Sequence, residues 1–94
     1  MNDLACINGY KILKALGNKK RMQILYSLQN QEMSVGELEK IVNLSQSALS
    51  QHLAVLRKGD IVKTRRSAQT IYYSIKNELV KKILDTLSNF YENK

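Results

Sequence analysis

Amide and hydroxyl side chains share one side of the segment 46–58. At about 100° per residue, the spacing of an α-helix, Leu49, Leu53 and Leu56 fall together on the opposite side. Glutamine can pair bidentately with adenine, serine can bond to base edges or phosphates, and arginine favours guanine or phosphate. The segment is therefore predicted to be a helix that contacts nucleic acid. Its contact residues are Gln46, Ser47, Ser50, Gln51, Arg57 and Lys58.

This segment contains no acidic residue. A solvated helix face, in contrast, gains support from pairs of glutamate and lysine. The major groove of DNA is about 12 Å wide and admits one α-helix, whose first turns face the bases. Base readout is thus the favoured interpretation, and a face that only contacts solvent is the alternative.

A cluster of cations follows in residues 57–66, which contain five basic residues and one acidic residue, Asp60. After Gly59 the period of apolar residues changes from about 3.6 to 2, which predicts a β-hairpin with its tip at residues 66–69. Such a hairpin could straddle the sugar-phosphate backbone or enter the minor groove. A charged edge strand that resists aggregation is the alternative. The contact residues predicted on the hairpin are Lys63, Arg65 and Arg66.

The composition agrees with a polyanionic partner. The chain has 94 residues, with 15 Lys+Arg against 8 Asp+Glu and a formal net charge of +7. This length predicts one domain, residues 1–94, and so small a body favours a dimer. No apolar run is long enough to span a bilayer, and no secretion signal is recognisable. We therefore expect a cytoplasmic protein with no membrane partner, associated with the nucleoid when bound to DNA.

Two residues could carry reactive chemistry, but each lacks a partner in the sequence. His52 has no neighbouring cysteine or second histidine to complete a metal site, so a packing or backbone-bonding role is expected. Cys6 is the single cysteine and cannot form an intramolecular disulfide, which fits a reducing cytosol. Its position on the apolar arc of the first helix predicts burial. No cofactor and no metal are expected.

The elements that position these side chains are long helices with few breakers, since the chain contains no proline. Ser34 and Glu37 form a capping box that starts a short helix, and Ser45 can cap the helix after it. Gly59 is expected to end that helix in a left-handed conformation. Helices are predicted over residues 3–16, 19–30, 35–42, 46–58 and 78–91.

The strings LSQSALSQHLAVLRK, GDIVKTRR and AQTIYYSI, in this order of elements, resemble the ArsR/SmtB-type winged-helix transcriptional regulators. The resemblance covers nearly the whole chain and is closest in appearance to the HlyU-like branch. It implies an α+β, mostly helical fold: a winged helix-turn-helix with four helices, two strands and a last helix.

The resemblance also implies a homodimer that pairs through the first and last helices. The amphipathic pattern of segments 4–16 and 78–91 agrees with this, although these helices could instead cover only their own core. The interface residues expected are Leu4, Ile12, Leu16, Leu79, Ile83, Leu87, Phe90 and Tyr91.

The chain departs from the family pattern where relatives sense metals or oxidants. Segment 33–37 lacks the cysteines of metal-sensing members, and the last helix offers only Glu78, Asp85 and Glu92. Tyr26 and Glu92 stand where redox-responsive relatives have cysteines, so a two-cysteine switch is absent. Segment 58–61 also differs from the usual glycine-leucine pair after the recognition helix. The resemblance therefore implies no metal and names no inducing signal.

These observations predict a sequence-specific, DNA-binding transcriptional regulator that reads an inverted repeat as a homodimer. It could repress by occluding a promoter, or activate by displacing another repressor. A non-specific architectural module that binds DNA or RNA is the alternative, and a protein-interaction domain is a further one. No catalytic constellation is recognisable, so an enzyme is not expected.

Overall fold

The computed structural model describes residues 3–92, which form five helices and three short strands. The mostly helical α+β class and the predicted order of elements are confirmed, and one strand is added. The elements are α1 (Asp3–Leu16), α2 (Lys19–Ser27), β1 (Met33–Ser34), α3 (Val35–Val42), α4 (Gln46–Lys58), β2 (Val62–Ser67), β3 (Thr70–Ile75) and α5 (Glu78–Glu92).

The added strand β1 lies at one edge of an antiparallel sheet with the order β1-β3-β2. Met33 pairs with Tyr73, and both side chains are buried. A two-residue strand is too short to show a period of two, so the sequence pattern did not reveal it. The sheet joins the hairpin to the beginning of α3.

Helix α2 ends earlier than predicted, at Ser27 instead of residue 30. Residues 28–30 form a turn in which Asn30 has a φ of 62°. The C-cap is Leu28, two residues before Asn30, and asparagine adopts the left-handed conformation more readily than most residues, so Asn30 keeps the helix from resuming. Leu28 remains fully buried and closes the core beneath the turn.

The hydrophobic core is formed by all helices and the sheet. Leu49, Leu53 and Leu56 anchor α4, as their helical spacing predicted, and Val80 and Leu84 anchor α5. Helix α1 contributes only its C-terminal end, where Ala15 and Leu16 are buried. Most of α1 therefore stands outside the core of this chain.

The turn after α4 corrects the prediction for Gly59. Gly59 has an ordinary φ of −78°, and Asp60 takes the left-handed conformation with a φ of 60°. The Asp60 amide donates to the Arg57 carbonyl, so the helical turn continues one residue further. The carbonyl of the buried Ile61 then accepts the amides of Lys76 and Asn77, which closes the base of the hairpin.

The predicted capping box at the start of α3 is present. The Glu37 amide donates to Ser34 Oγ at 3.2 Å, and the Ser34 amide donates to Glu37 Oε1 at 2.9 Å. We expect Ser34→Ala to lower the free energy of unfolding by about 1 kcal/mol, measured by urea denaturation. Ser50→Ala, on the exposed face of α4, is the matched control and should cost nothing. An equal loss in both variants would contradict the role of the cap.

Candidate nucleic-acid interface

The predicted recognition surface is the exposed side of α4. The buried leucines hold the opposite side, and Ser45 caps the helix by accepting the amide of Ala48 at 3.2 Å. All six side chains predicted to contact nucleic acid are solvent-exposed. Within residues 3–92, none of the six makes a side-chain hydrogen bond or ion pair. Their donors and acceptors are therefore available to a partner molecule. They are Gln46, Ser47, Ser50, Gln51, Arg57 and Lys58.

Helices α3 and α4 form a helix-turn-helix joined by a three-residue turn. Asn43 ends α3 in the left-handed conformation, with a φ of 52°. Lys20 Nζ donates to the Val42 carbonyl at 3.0 Å, so a cation from α2 satisfies a free carbonyl at the negative end of the α3 dipole. This contact fixes the turn against the body of the protein.

The hairpin formed by β2 and β3 projects its cations from both faces. Lys63 and Arg65 share a face with Tyr72 and Ser74, as the strand alternation requires. Arg66 lies on the opposite face, in register with Ile71. The hairpin can therefore present positive charge on either side, whereas the sequence analysis treated Arg65 and Arg66 as one group.

A two-residue turn closes the hairpin at Ala68 and Gln69, because Ser67 pairs with Thr70. Ala68 has a φ of 55°, and no positive φ occurs at Gln69. A positive φ at the first central position alone is the pattern of a type II′ turn, which matches the twist of the strands. Because the turn contains no glycine, the sequence did not reveal its type.

Arg65 differs from the other hairpin cations because it has a partner on the protein. Its Nε and Nη2 donate to the two carboxylate oxygens of Glu32, at 3.1 and 2.5 Å. The guanidinium also lies over the ring of Tyr72, 4.6 Å from the centroid. The hydrogen bond from Arg65 holds the pKa of Glu32 below its ordinary value, and the charges of Arg65 and Lys63 act in the same direction.

His52 contacts an arginine, in contrast to the packing or backbone-bonding role expected. Arg21 Nη1 lies 3.3 Å from His52 Nδ1, while Arg21 Nε donates to the Ala15 carbonyl at 2.6 Å. One guanidinium thus links the end of α1 to the recognition helix. Burial lowers the pKa of His52, and the positive charge of Arg21 lowers it further.

This environment predicts that acid destabilises the fold through His52. The unfolded chain binds the proton with a pKa of about 6.5, and the folded protein binds it more weakly. Stability should therefore fall as the pH decreases through about 6.5 towards the lowered folded value. In His52→Gln, the difference in unfolding free energy between about pH 7.5 and 5.5 should be smaller, as measured by urea denaturation. An unchanged difference would exclude His52 as a source of the pH dependence.

Cys6 is exposed on α1, so the prediction that it is buried is wrong for the single chain. The apolar arc on which it was placed meets the core only towards the end of α1, where Ile12 and Leu16 lie, and Cys6 is too near the beginning of the helix to reach it. Among residues 3–92, no group of three His, Cys, Asp or Glu side chains could hold a metal ion. No helix in that range is long and apolar enough to cross a membrane.

The residues expected at a dimer interface fall into three groups by exposure. Leu16 is only 5% exposed and packs in the core of its own chain, so it offers little surface to a partner. Ile12 and Ile83 are half-buried against that core, and Leu87 is also half-buried. The others are exposed on the outer sides of α1 and α5: Leu4, Leu79, Phe90 and Tyr91.

Three further apolar residues of α1 are exposed: Ile7, Tyr10 and Leu13. The apolar arc predicted for α1 included Leu13, but it did not include Ile7 or Tyr10. Together with Leu4 they recur every third residue and form a row along the helix. This spacing was visible in the sequence. However, the sequence did not show that this row is exposed, because the side of α1 that faces the core was not known until the packing of Ala15 and Leu16 was seen.

A helix-turn-helix with an exposed polar second helix, followed by a cationic hairpin, defines a winged helix-turn-helix protein of the DNA-binding class. Comparison with known sequences gives the family. Residues 18–64 match the family model described as bacterial regulatory protein, arsR family. The chain belongs to the ArsR family, which confirms the resemblance found in the sequence.

Individual relatives agree with this assignment. The chain is 57% identical over 79 residues to the nodulation protein NolR of Rhizobium meliloti, covering 84% of this chain and 65% of NolR. It is 49% identical over 80 residues to the transcriptional activator HlyU of Vibrio cholerae, covering 85% of this chain and 74% of HlyU. The solved structure of reduced HlyU matches with a TM-score of 0.91 and 43% identity, covering 96% of this chain and 95% of that chain. These relatives confirm the winged-helix fold and the similarity to HlyU.

Proposed function

We propose that this protein is a homodimeric transcriptional regulator that binds an inverted-repeat DNA sequence through two copies of α4. The observation that carries the proposal is the exposed amide and hydroxyl face of α4, whose six contact residues lack partners within residues 3–92. Polar groups of this kind discriminate between base pairs in the major groove. Gln46 and Gln51 in the first two turns are assigned to base edges, and Arg57 and Lys58 to phosphates.

The hairpin supplies affinity that does not depend on sequence. Lys63, Arg65 and Arg66 place three positive charges on a projection beside α4. Contacts of such charges with phosphates release counterions and strengthen binding to any duplex. The formal net charge of +7 acts in the same direction.

The proposal of a dimer is supported by the apolar side chains that are exposed on α1 and α5. Large apolar side chains are exposed on both helices, among them Leu13 at 60%, Phe90 at 67% and Tyr91 at 68%. Soluble monomers rarely expose contiguous apolar surface of this kind, and two-fold symmetry lets the same surface cover itself. A two-fold dimer presents two recognition helices in opposite directions, which matches an inverted repeat. The proposed regulator then acts in the cytoplasm, where it is associated with the nucleoid when it is bound to DNA.

Selection of bound fragments from a genomic library, followed by footprinting, tests this function. We expect an inverted repeat whose half-sites are separated by about one helical turn, 10–10.5 base pairs, or a multiple of it. A footprint that covers a promoter indicates repression, and one that overlaps the site of another repressor indicates activation. Recovery of fragments without a common sequence would refute sequence-specific binding.

The +7 charge also favours a second candidate, a non-specific architectural module that binds DNA or RNA. Such a module uses the phosphate contacts without base readout. It predicts equal affinity for the selected operator and for a shuffled duplex at the same salt concentration. A regulator predicts a ratio of at least about 10³.

A further inference from the structure

The pair formed by Arg65 and Glu32 joins the hairpin to a separate part of the protein. Glu32 precedes β1, and its two carboxylate oxygens accept from Arg65 Nε and Nη2. Since Met33 pairs with Tyr73 on the buried face of the sheet, Glu32 lies beside the opposite face, which carries Arg65 and Tyr72. The pair therefore spans β3, the strand between β1 and β2, and the Arg65 guanidinium lies over Tyr72 of that strand.

Neither side chain of the pair is buried, because Arg65 is 54% and Glu32 41% exposed. Ion pairs in such positions contribute little to stability, since water and salt screen them. Arg65 can consequently leave Glu32 at low cost. In the described part of the chain, Lys63 and Arg66 form no ion pair, so Arg65 is the hairpin cation whose charge is offset on the protein.

We propose that Glu32 competes with nucleic-acid phosphates for Arg65 and so sets the affinity of the hairpin for DNA. The proposal rests on the DNA-binding function proposed above. In the free protein the guanidinium is held between the Glu32 carboxylate and the Tyr72 ring. On DNA, a phosphate takes the place of the carboxylate, and Glu32 is left beside the polyanion.

The pair with Glu32 is therefore expected to limit the part of DNA binding that does not depend on the DNA sequence. A cation paired with a carboxylate adds no net charge, so it contributes less to counterion release than a free cation. Arg66 attracts any duplex without this offset, and Lys63 interacts with Glu32 only through its charge, whereas Arg65 must first exchange a hydrogen-bonded partner. Glu32 thereby lowers the affinity of the protein for DNA of any sequence.

The test compares Glu32→Gln with Asp60→Asn. Both substitutions remove one negative charge and release a cation from an exposed ion pair, because Asp60 Oδ1 accepts from Lys76 Nζ at 2.7 Å. Asparagine also tolerates the left-handed conformation of residue 60. Only Glu32→Gln frees a cation of the hairpin, so Asp60→Asn controls for net charge.

We expect Glu32→Gln to raise the affinity for a duplex of random sequence by about threefold to tenfold per subunit and to steepen the salt dependence by about 0.9 per subunit. Asp60→Asn should produce a smaller change. In an Arg65→Ala background, the gain from Glu32→Gln should shrink to that of Asp60→Asn. Thermal unfolding of each variant verifies that the fold is retained.

Two results would overturn the proposal. A loss of affinity in Glu32→Gln would show that Glu32 orients Arg65 for DNA, and equal gains in the two single variants would reduce the effect to net charge. Elution from immobilised heparin, a polyanion without bases, provides a readout that does not require DNA recognition. If the wild-type protein binds no duplex, the proposed function fails, while a later elution of Glu32→Gln than of Asp60→Asn still supports competition for Arg65.

Discussion

Leu13→Glu is expected to convert the proposed dimer into a monomer and to reduce operator affinity by about 10²- to 10⁴-fold, the gain that joining two binding modules provides. Leu13 is 60% exposed and lies in the apolar row of α1, so in the proposed dimer it is covered by the partner. A glutamate there would bring two charges into an apolar contact, which is costly without a compensating cation. The fold of the single chain should survive, because the core does not include Leu13.

Analytical ultracentrifugation measures the oligomeric state of this variant, and fluorescence anisotropy measures its operator affinity. Ile41→Glu is the matched control for the oligomeric state, since Ile41 is 56% exposed but lies on α3, away from the proposed interface. We expect the control to remain a dimer. A Leu13→Glu protein that also remains a dimer would show that α1 is not required for association.

Gln46→Ala and Gln51→Ala are expected to weaken operator binding by about 1–3 kcal/mol per half-site, and therefore by about twice that for a symmetric operator. Both side chains are exposed and lack partners within residues 3–92, so their removal should leave stability unchanged. Alanine is also the best helix former, and the helix itself should be retained. Preference at the affected base positions should be relaxed.

Arg66→Ala distinguishes recognition of bases from electrostatic attraction to the phosphates of any duplex. Arg66 extends from the hairpin without an ion pair to any of the described residues, so its loss should weaken binding to operator and random duplex alike. The salt dependence should become shallower by about 0.9 per subunit. If the glutamine variants lose as much affinity for random duplex as for the operator, they contact phosphates and not bases.

Much of the site could be predicted from local patterns in the sequence. The two sides of α4, the capping box of Ser34 and Glu37, and the alternation of the hairpin depend on residues three or four positions apart, or on alternate positions. Such patterns describe one element at a time. They therefore identified the recognition helix and the cations that follow it.

Tertiary packing decided which side of α1 is buried. The pattern of α1 placed Leu16, Leu13 and Cys6 on one broad apolar arc, but only Leu16 meets the core. Helical periodicity defines an apolar stripe without stating how much of it this chain covers and how much is left for a partner. That choice depends on where the other elements lie.

The contacts that distinguish this site join residues far apart in the sequence. Glu32 meets Arg65 across 33 positions, and Arg21 meets His52 across 31. The five helices, the hairpin and the polar face of α4 could be predicted from sequence patterns, because residues near one another along the chain specify them. Which charges are offset on the protein, and which apolar side chains remain exposed, could be seen only after folding, because both depend on the three-dimensional arrangement of distant segments.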